Sequence, residues 1–182
     1  MIKLLLIFSS KLYDKGFLMF KKLFLLLLLI SSVFADNIDV AFSPSGNGLE
    51  LVLKAINAST TSICMATYSF TSRPVAEALL NAKKRGVVLQ IVSDKKSNGS
   101  KYTATKFLAN QGINVRLNGK YPIMHNKFIV VDNKTVETGS FNYTKAAANK
   151  NAENIIVIWN NPVVASKYAA ECKRLFNEAT PY

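Results

Sequence analysis

Two largely apolar runs, Ile63 to Phe70 and Val87 to Val92, bracket a segment whose apolar residues recur at helical spacing. Runs of this kind read as strands buried in a sheet. Between them Thr71-Ser72 offers an N-cap and Pro74 falls in the first helical turn. Val75, Ala78, Leu79 and Ala82 form the apolar stripe, Lys83-Lys84-Arg85 load the last turn with positive charge, and Gly86 is the expected stop. The alternation continues on both sides. Ile38 to Phe42 predicts a strand, and Leu49, Val52, Leu53 and Ile56 predict a helix. After a polar loop at 95–100 come a helix over Thr103 to Asn110, a strand over Ile113 to Leu117, and two strands, His125 to Val131 and Thr135 to Thr138, joined by the turn Asp132-Asn133-Lys134. Ile155 to Trp159 is a further strand, and Pro162 opens a final helix through Leu175. Strands interleaved with helices specify an α/β fold, a layered α-β-α domain with a mixed β-sheet flanked by helices.

The first part of the 182-residue chain belongs to a different kind of segment. Residues 19–35 begin with Met-Phe-Lys-Lys, continue as Leu23 to Ile30 without a polar residue, and end Ser-Ser-Val-Phe-Ala. These are the parts of a secretory signal peptide, with Val33 and Ala35 placed for a cut before Asp36. Read as an uncleaved anchor, Leu23 to Ala35 is only 13 residues, short of the roughly 18 that a spanning helix needs. A second apolar patch lies before Met19, which suggests Met19 as the start. The expected organisation is therefore a signal peptide over 1–35 and one domain over 36–182, exported to the periplasm, the cell envelope or the medium. The whole chain carries 23 Lys and Arg against 11 Asp and Glu, a net +12. Without residues 1–35 it keeps 18 basic and 10 acidic residues, or +8. That excess favours a polyanionic partner, nucleic acid or an anionic membrane surface. Export leaves two readings open for Cys64 and Cys172, one disulfide closing a long loop or two buried thiols.

The chemistry is concentrated after residue 124. From His125 the chain reads HNKFIVVDNKTVETGSFN, which fixes His125, Lys127, Asp132, Gly139, Ser140 and Asn142 as H-x-K-x4-D-x6-G-S-x-N. With each residue type used at roughly 5%, six matches at fixed spacing arise by chance about once in 10⁸ starts. The pattern resembles the HKD motif of the phospholipase D superfamily. The resemblance extends to Tyr68-Ser69-Phe70, Ala78-Leu79 with Ala82, Arg85-Gly86-Val87 and Asp94, and to Asn151-Ala152-Glu153-Asn154, similar to the family's N-x-E-N segment. In size, single motif and leader the chain is most similar to the small bacterial Nuc-type endonucleases. Larger members carry two motifs in one chain, whereas this one has a single His. The resemblance thus implies a homodimer that gathers two motifs about one site.

The residue types suit a phosphodiester. Residues two apart on a strand share a face, so His125 and Lys127 are expected to project together. Asp132 lies an odd number of positions beyond and is expected to hold structure. Lys127 supplies positive charge, Asn142 an amide donor and Ser140 a hydroxyl, while Gly139 permits close backbone approach. Imidazole is a competent nucleophile near neutral pH when a partner fixes its tautomer, and Glu153 is the candidate partner. Tyr121 and Tyr143 flank the motif, and each is expected either to line a substrate groove or to pack. Lys95, Lys96, Lys101 and Lys106 form a basic stretch, with Lys95 and Lys96 the candidate substrate contacts. Tyr102 and Phe107 interleave with it, Phe107 at a spacing that predicts core.

These features predict a metal-independent nuclease, with no cofactor, that cleaves nucleic-acid phosphodiesters through a phosphohistidine. One copy's His125 attacks phosphorus while the other's protonates the leaving oxygen and then activates water. A phospholipid hydrolase acting on cardiolipin-like substrates at a membrane surface is the alternative. A non-catalytic DNA-binding envelope protein is the third reading, and it leaves the complete motif without a purpose.

Overall fold

The computed structural model describes Lys21, residues 37–100 and residues 102–182. The expected signal peptide and its cleavage point, and Lys101, lie outside the described residues. Residues 36–182 form one unit, built on a single eight-stranded sheet of order β1-β7-β6-β5-β2-β3-β4-β8. Its strands are β1 (Asn37–Ser43), β2 (Ser62–Thr67), β3 (Val88–Asp94), β4 (Asn114–Asn118), β5 (Phe128–Val131), β6 (Thr135–Gly139), β7 (Glu153–Trp159) and β8 (Thr180–Pro181). The β2–β3 and β3–β4 pairs are parallel and the remaining pairs antiparallel, so the sheet is mixed as the alternation of elements requires.

Helices cover both faces. On one side α1 (Gly48–Asn57), α2 (Arg73–Lys84), α4 (Ala104–Asn110) and α5 (Lys145–Asn149) pack over a core that includes Ile56, Leu79, Ile91, Leu108 and Ile155. On the other, the long helix α6 (Pro162–Asn177) sets Ala165, Cys172, Leu175 and Phe176 against Ala66, Val92, Val130 and Val136. The helix signals act where the sequence puts them. Ser72 occupies the N-cap of α2, and the chain leaves that helix through Gly86 at φ +91°, a conformation glycine adopts without steric cost.

Three boundaries depart from the sequence reading. The polar stretch expected as a loop contains a helical turn, α3 (Lys95–Asn98), because Asp94 accepts a hydrogen bond from the Ser97 amide at 2.8 Å. Strand β2 stops at Thr67, since the Phe70 amide donates instead to the side chain of Asn98. Strand β5 begins at Phe128 rather than His125. Ahead of it the Met124 amide donates to Asp94 Oδ2 at 2.9 Å, which ties the segment across the strand ends instead of along β2. The turn between β5 and β6 has φ +52° at both Asp132 and Asn133 and a Lys134 N–H to Val131 carbonyl bond of 3.1 Å. That is the primed geometry matching strand twist.

The two cysteines are bonded. Cys64 on β2 and Cys172 on α6 bring their Cα atoms to 6.4 Å and close a span of 108 residues, pinning the long helix to the middle of the sheet. Loop-closure entropy at this length sets a ceiling of roughly 5 kcal/mol on the stabilisation, with about 2 to 4 typical. Reduction, or Cys64→Ala with Cys172→Ala, is therefore expected to lower unfolding free energy by about 2 to 4 kcal/mol in urea titrations. Coincident oxidised and reduced curves would show that the bond contributes nothing.

Candidate active site

Strand direction gathers the motif. Parallel β2 and β3 end at one rim of the sheet; antiparallel β5 starts there, β6 ends there and β7 starts there. His125 and Lys127 lie just before β5, Ser140 and Asn142 just after β6, and Glu153 opens β7. Residues separated by up to 28 positions thus share one end of the sheet, outside the carboxyl ends of the parallel strands where open α/β sheets place their ligands.

His125 is exposed, and its ring meets Tyr68 edge-on at a centroid distance of 4.6 Å. Lys127 is only 9% exposed. Its ammonium lies 5.5 Å from the Tyr68 ring and donates to the His125 carbonyl at 2.8 Å. The two motif side chains therefore project together, through a shared aromatic wall at the end of β2 and from an extended segment rather than a paired strand. Burial pushes the Lys127 ammonium below its ordinary pKa, and the charge of Glu153 opposes that shift.

Glu153 does not hold His125 within the chain. Its Oε2 accepts from Ser140 Oγ at 2.6 Å and its Oε1 from Asn151 Nδ2 at 3.1 Å. Register explains the difference: Gly139 pairs with Ile155, which brings Ser140 alongside Asn154 and within reach of the carboxylate. Ser140 Oγ also accepts from the Asn154 amide at 3.1 Å, so the hydroxyl is fixed at both ends. Gly139 has φ +157°, and a Cβ there would collide with the Asn154 carbonyl; this is the close approach expected of it. Asn142 is half-buried, and its Oδ1 is buried without a hydrogen-bond partner among the described residues. No described residue hydrogen-bonds the His125 imidazole.

The remaining candidates divide. Asp132 sits at the far end of β5, where its carboxylate accepts from the amides of Thr60, Thr61 and Ser62 and from both threonine hydroxyls, at 2.7 to 3.0 Å for the closest contact of each. Partial burial works to raise its pKa, but these donors, the Ser62 amide foremost, outweigh it and hold the carboxyl well below the usual range. These contacts tie the β5–β6 turn to the residues that lead into β2. Tyr143 is fully buried and cannot line a groove. Tyr121 commits its hydroxyl to Arg174 and Glu178 at 2.6 and 2.8 Å and its ring to the core under α6, so it braces that helix. Lys95 and Lys96 are exposed on α3, next to the Asp94 that anchors Met124. Phe107, expected in the core, is 43% exposed because α4 buries Ala104, Thr105 and Leu108 instead. Among the described residues no group of three or more His, Cys, Asp and Glu side chains converges to hold a metal ion.

Residues 52–177 match the family model described as cardiolipin synthase, PLD-like domain. The chain is 33% identical over 137 residues to phospholipase D of Rickettsia felis, covering 75% of this chain and 68% of that protein. It is 32% identical over 120 residues to the mitochondrial cardiolipin hydrolase of Xenopus laevis, covering 66% and 57%. Among solved structures, the phospholipase D family member Nuc from Salmonella typhimurium superposes with a TM-score of 0.79 at 45% identity, over 81% of this chain and 99% of that one. NucT from Helicobacter pylori shares the fold with a TM-score of 0.72 at 24% identity, over 80% and 100%.

Sequence reasoning missed three supports of the site: Tyr68 as a wall for both motif side chains, Asp94 as the anchor of Met124, and the pair Glu137–Tyr143. Alternation along β6 was the available signal for the last, since it turns Glu137 toward the core. The Tyr143 hydroxyl donates to Glu137 Oε2 at 2.7 Å, and the Tyr143 carbonyl accepts from the Thr71 and Ser72 amides at 2.9 and 2.8 Å. This clamps the far end of the Ser140–Asn142 loop. Burial pushes the Glu137 carboxyl up to about 8 from an ordinary 4.5, against the lowering effect of the Tyr143 hydrogen bond. The folded protein then keeps a proton that the unfolded chain loses between these values, so stability should fall as pH rises from about 5 to about 8, by at most about 1.4 kcal/mol per pH unit. Glu137→Gln should flatten that slope in urea titrations across the window; equal slopes for both proteins would contradict it.

Proposed function

The chain belongs to the phospholipase D superfamily, whose members are phosphodiester hydrolases, and we propose that it is an exported, metal-independent nuclease acting on DNA and RNA strands. The carrying observation is the pairing of an exposed His125 with a buried Lys127 ammonium against one tyrosine ring, on an open rim that also bears Lys95 and Lys96. An open cationic rim suits a long polyanion, as does the charge of +8 after residue 35. The 45% identity to Nuc supports the same reading.

In the proposed mechanism an imidazole nitrogen of His125 attacks phosphorus. An N–P bond forms as the P–O bond to the leaving group breaks, and a second imidazole donates its proton to that oxygen. The second ring then takes a proton from water, whose oxygen attacks phosphorus and releases His125. Lys127 and the side-chain N–H groups of Asn142 stabilise charge on the non-bridging oxygens, while the Ser140 hydroxyl, whose proton goes to Glu153, holds the loop that carries Asn142.

Since each chain has one histidine, the second ring comes from a second copy. An uncovered apolar sheet face supports this. On β1 the exposed Ile38, Val40 and Phe42 pair with Ile158, Ile156 and Asn154 of β7, on the side of the sheet that α6 leaves bare toward β1. A contiguous apolar patch of this kind marks an interaction surface, and its Phe42 end adjoins Asn154 and the Ser140–Glu153 pair.

The family model's description and the cardiolipin hydrolase relative favour a second reading, hydrolysis of cardiolipin-like phospholipids at a membrane surface. One experiment separates the readings: single-stranded DNA, duplex DNA, RNA and cardiolipin vesicles assayed in parallel with excess EDTA, with sedimentation run on the same samples. Cleavage of nucleic acid in EDTA by a dimer, lost in His125→Ala, is expected, and Phe42→Lys should yield an inactive monomer. Hydrolysis of vesicles alone, loss of activity in chelator, or a fully active monomer would each overturn the corresponding part.

The Cys64–Cys172 bond supports export, because such bonds persist in oxidising compartments. N-terminal sequencing of the protein recovered from the periplasm or medium should begin at Asp36. A cytosolic protein retaining residues 19–35 would refute it.

A further inference from the structure

A second feature lies one loop from His125, and we infer from it that the protein holds an unpaired nucleobase of its substrate in a cleft between α2 and α4, a reading that rests on the nuclease function proposed above. The cleft has a volume of about 370 Å³, enough for one base and part of its sugar in the size range of small-molecule sites. Its floor and sides are apolar, from Ala76, Ala104 and the aromatic pair Tyr102 and Phe107. Tyr102 is 81% exposed. Two solvent-facing rings beside one concavity are the stacking platform that single-stranded nucleic-acid proteins use.

The rim supplies complementary polarity. Arg73 and Glu77, one turn apart on α2, are joined by a 2.6 Å ion pair and both line the cleft. A guanidinium donating and a carboxylate accepting side by side match the acceptors and amino groups on a base edge. An acyl chain offers neither. The cleft is also tethered to the site. Tyr68, which walls His125, is three residues from Thr71 at the cleft, a chain span of at most roughly 11 Å. The Thr71 amide is bonded to the Tyr143 carbonyl behind the Ser140–Asn142 loop. In the proposed binding mode, a strand whose phosphate lies at His125 sets a neighbouring nucleotide at the cleft. Bases inside a duplex are stacked and unavailable to it, so the cleft favours single strands.

The test measures binding in the His125→Ala background by fluorescence anisotropy. The ligands are a single-stranded DNA oligonucleotide, an abasic oligomer of equal length and charge, and cardiolipin vesicles. Tyr102→Ala should reduce the preference for the base-bearing over the abasic strand about ten-fold, and Phe107→Leu, which keeps apolar bulk but removes the ring, should reduce it in the same direction. An unchanged preference, or equal weakening on vesicles, would overturn the cleft assignment. Cleavage of vesicles but of no nucleic acid by the unaltered protein would instead overturn the function on which it rests, so the two failures are distinguishable.

Discussion

The site depends on one carboxylate that carries no reaction. Asp94 ends β3 and uses its two oxygens in opposite directions, Oδ1 for the Ser97 amide and Oδ2 for the Met124 amide. The first bond turns a polar stretch into α3 and sets Lys95 and Lys96 on the rim. The second bond draws the chain before β5 across the ends of β2 and β3, so that His125 leaves the sheet and stands against Tyr68. A histidine continuing the β5 ladder would have its backbone groups paired and its ring aligned with the sheet's pleat. Anchored at Met124, it becomes an exposed ring with a rigid wall behind it. Asn98 completes the support, since its side chain accepts from the Phe70 amide and donates to the carbonyls of Asp94 and Tyr68.

Polar groups buried around the site are almost all paired, and their partners show what each holds in place. Glu153 fixes the Ser140 hydroxyl, Tyr143 and Glu137 fix the end of the loop that carries Asn142, and Asp132 locks the opposite end of the β5–β6 hairpin to the residues that start β2. A buried polar group without a partner costs about as much as a lost hydrogen bond or more. These contacts therefore restrict the loop to one arrangement. The candidate site groups consequently rest on strand ends and clamped turns, not on free loops.

Two surfaces of opposite character lie near the candidate site. On one, Ile38, Val40 and Phe42 of β1 are exposed; on the other, Lys95 and Lys96 are exposed on α3. The apolar surface adjoins the Ser140–Glu153 corner through Phe42 and Asn154, and Lys95 and Lys96 stand at the end of β3, farther along the same rim.

Much of this was legible from residue order. The alternation of apolar runs with capped helical stripes determined the α/β layering, because each strand and helix must bury its apolar side against another element. The spacing of His125, Lys127, Gly139, Ser140 and Asn142 picked out the candidate site, and the fold carries these residues on two adjacent segments at one end of the sheet. Asp132 was readable as structural from its parity. Contacts between distant segments were not readable. Only the folded chain decides that Cys64 meets Cys172, that Glu153 takes Ser140 rather than His125, that Tyr143 is inside and Phe107 outside, and that Tyr68 walls the histidine. These follow from strand register, from strand ends or from which helix face is covered, and for the paired strands a one-residue change of register would turn each side chain to the other face. Local propensity and motif spacing are properties of neighbours in sequence; partners across the sheet are set by the tertiary structure alone.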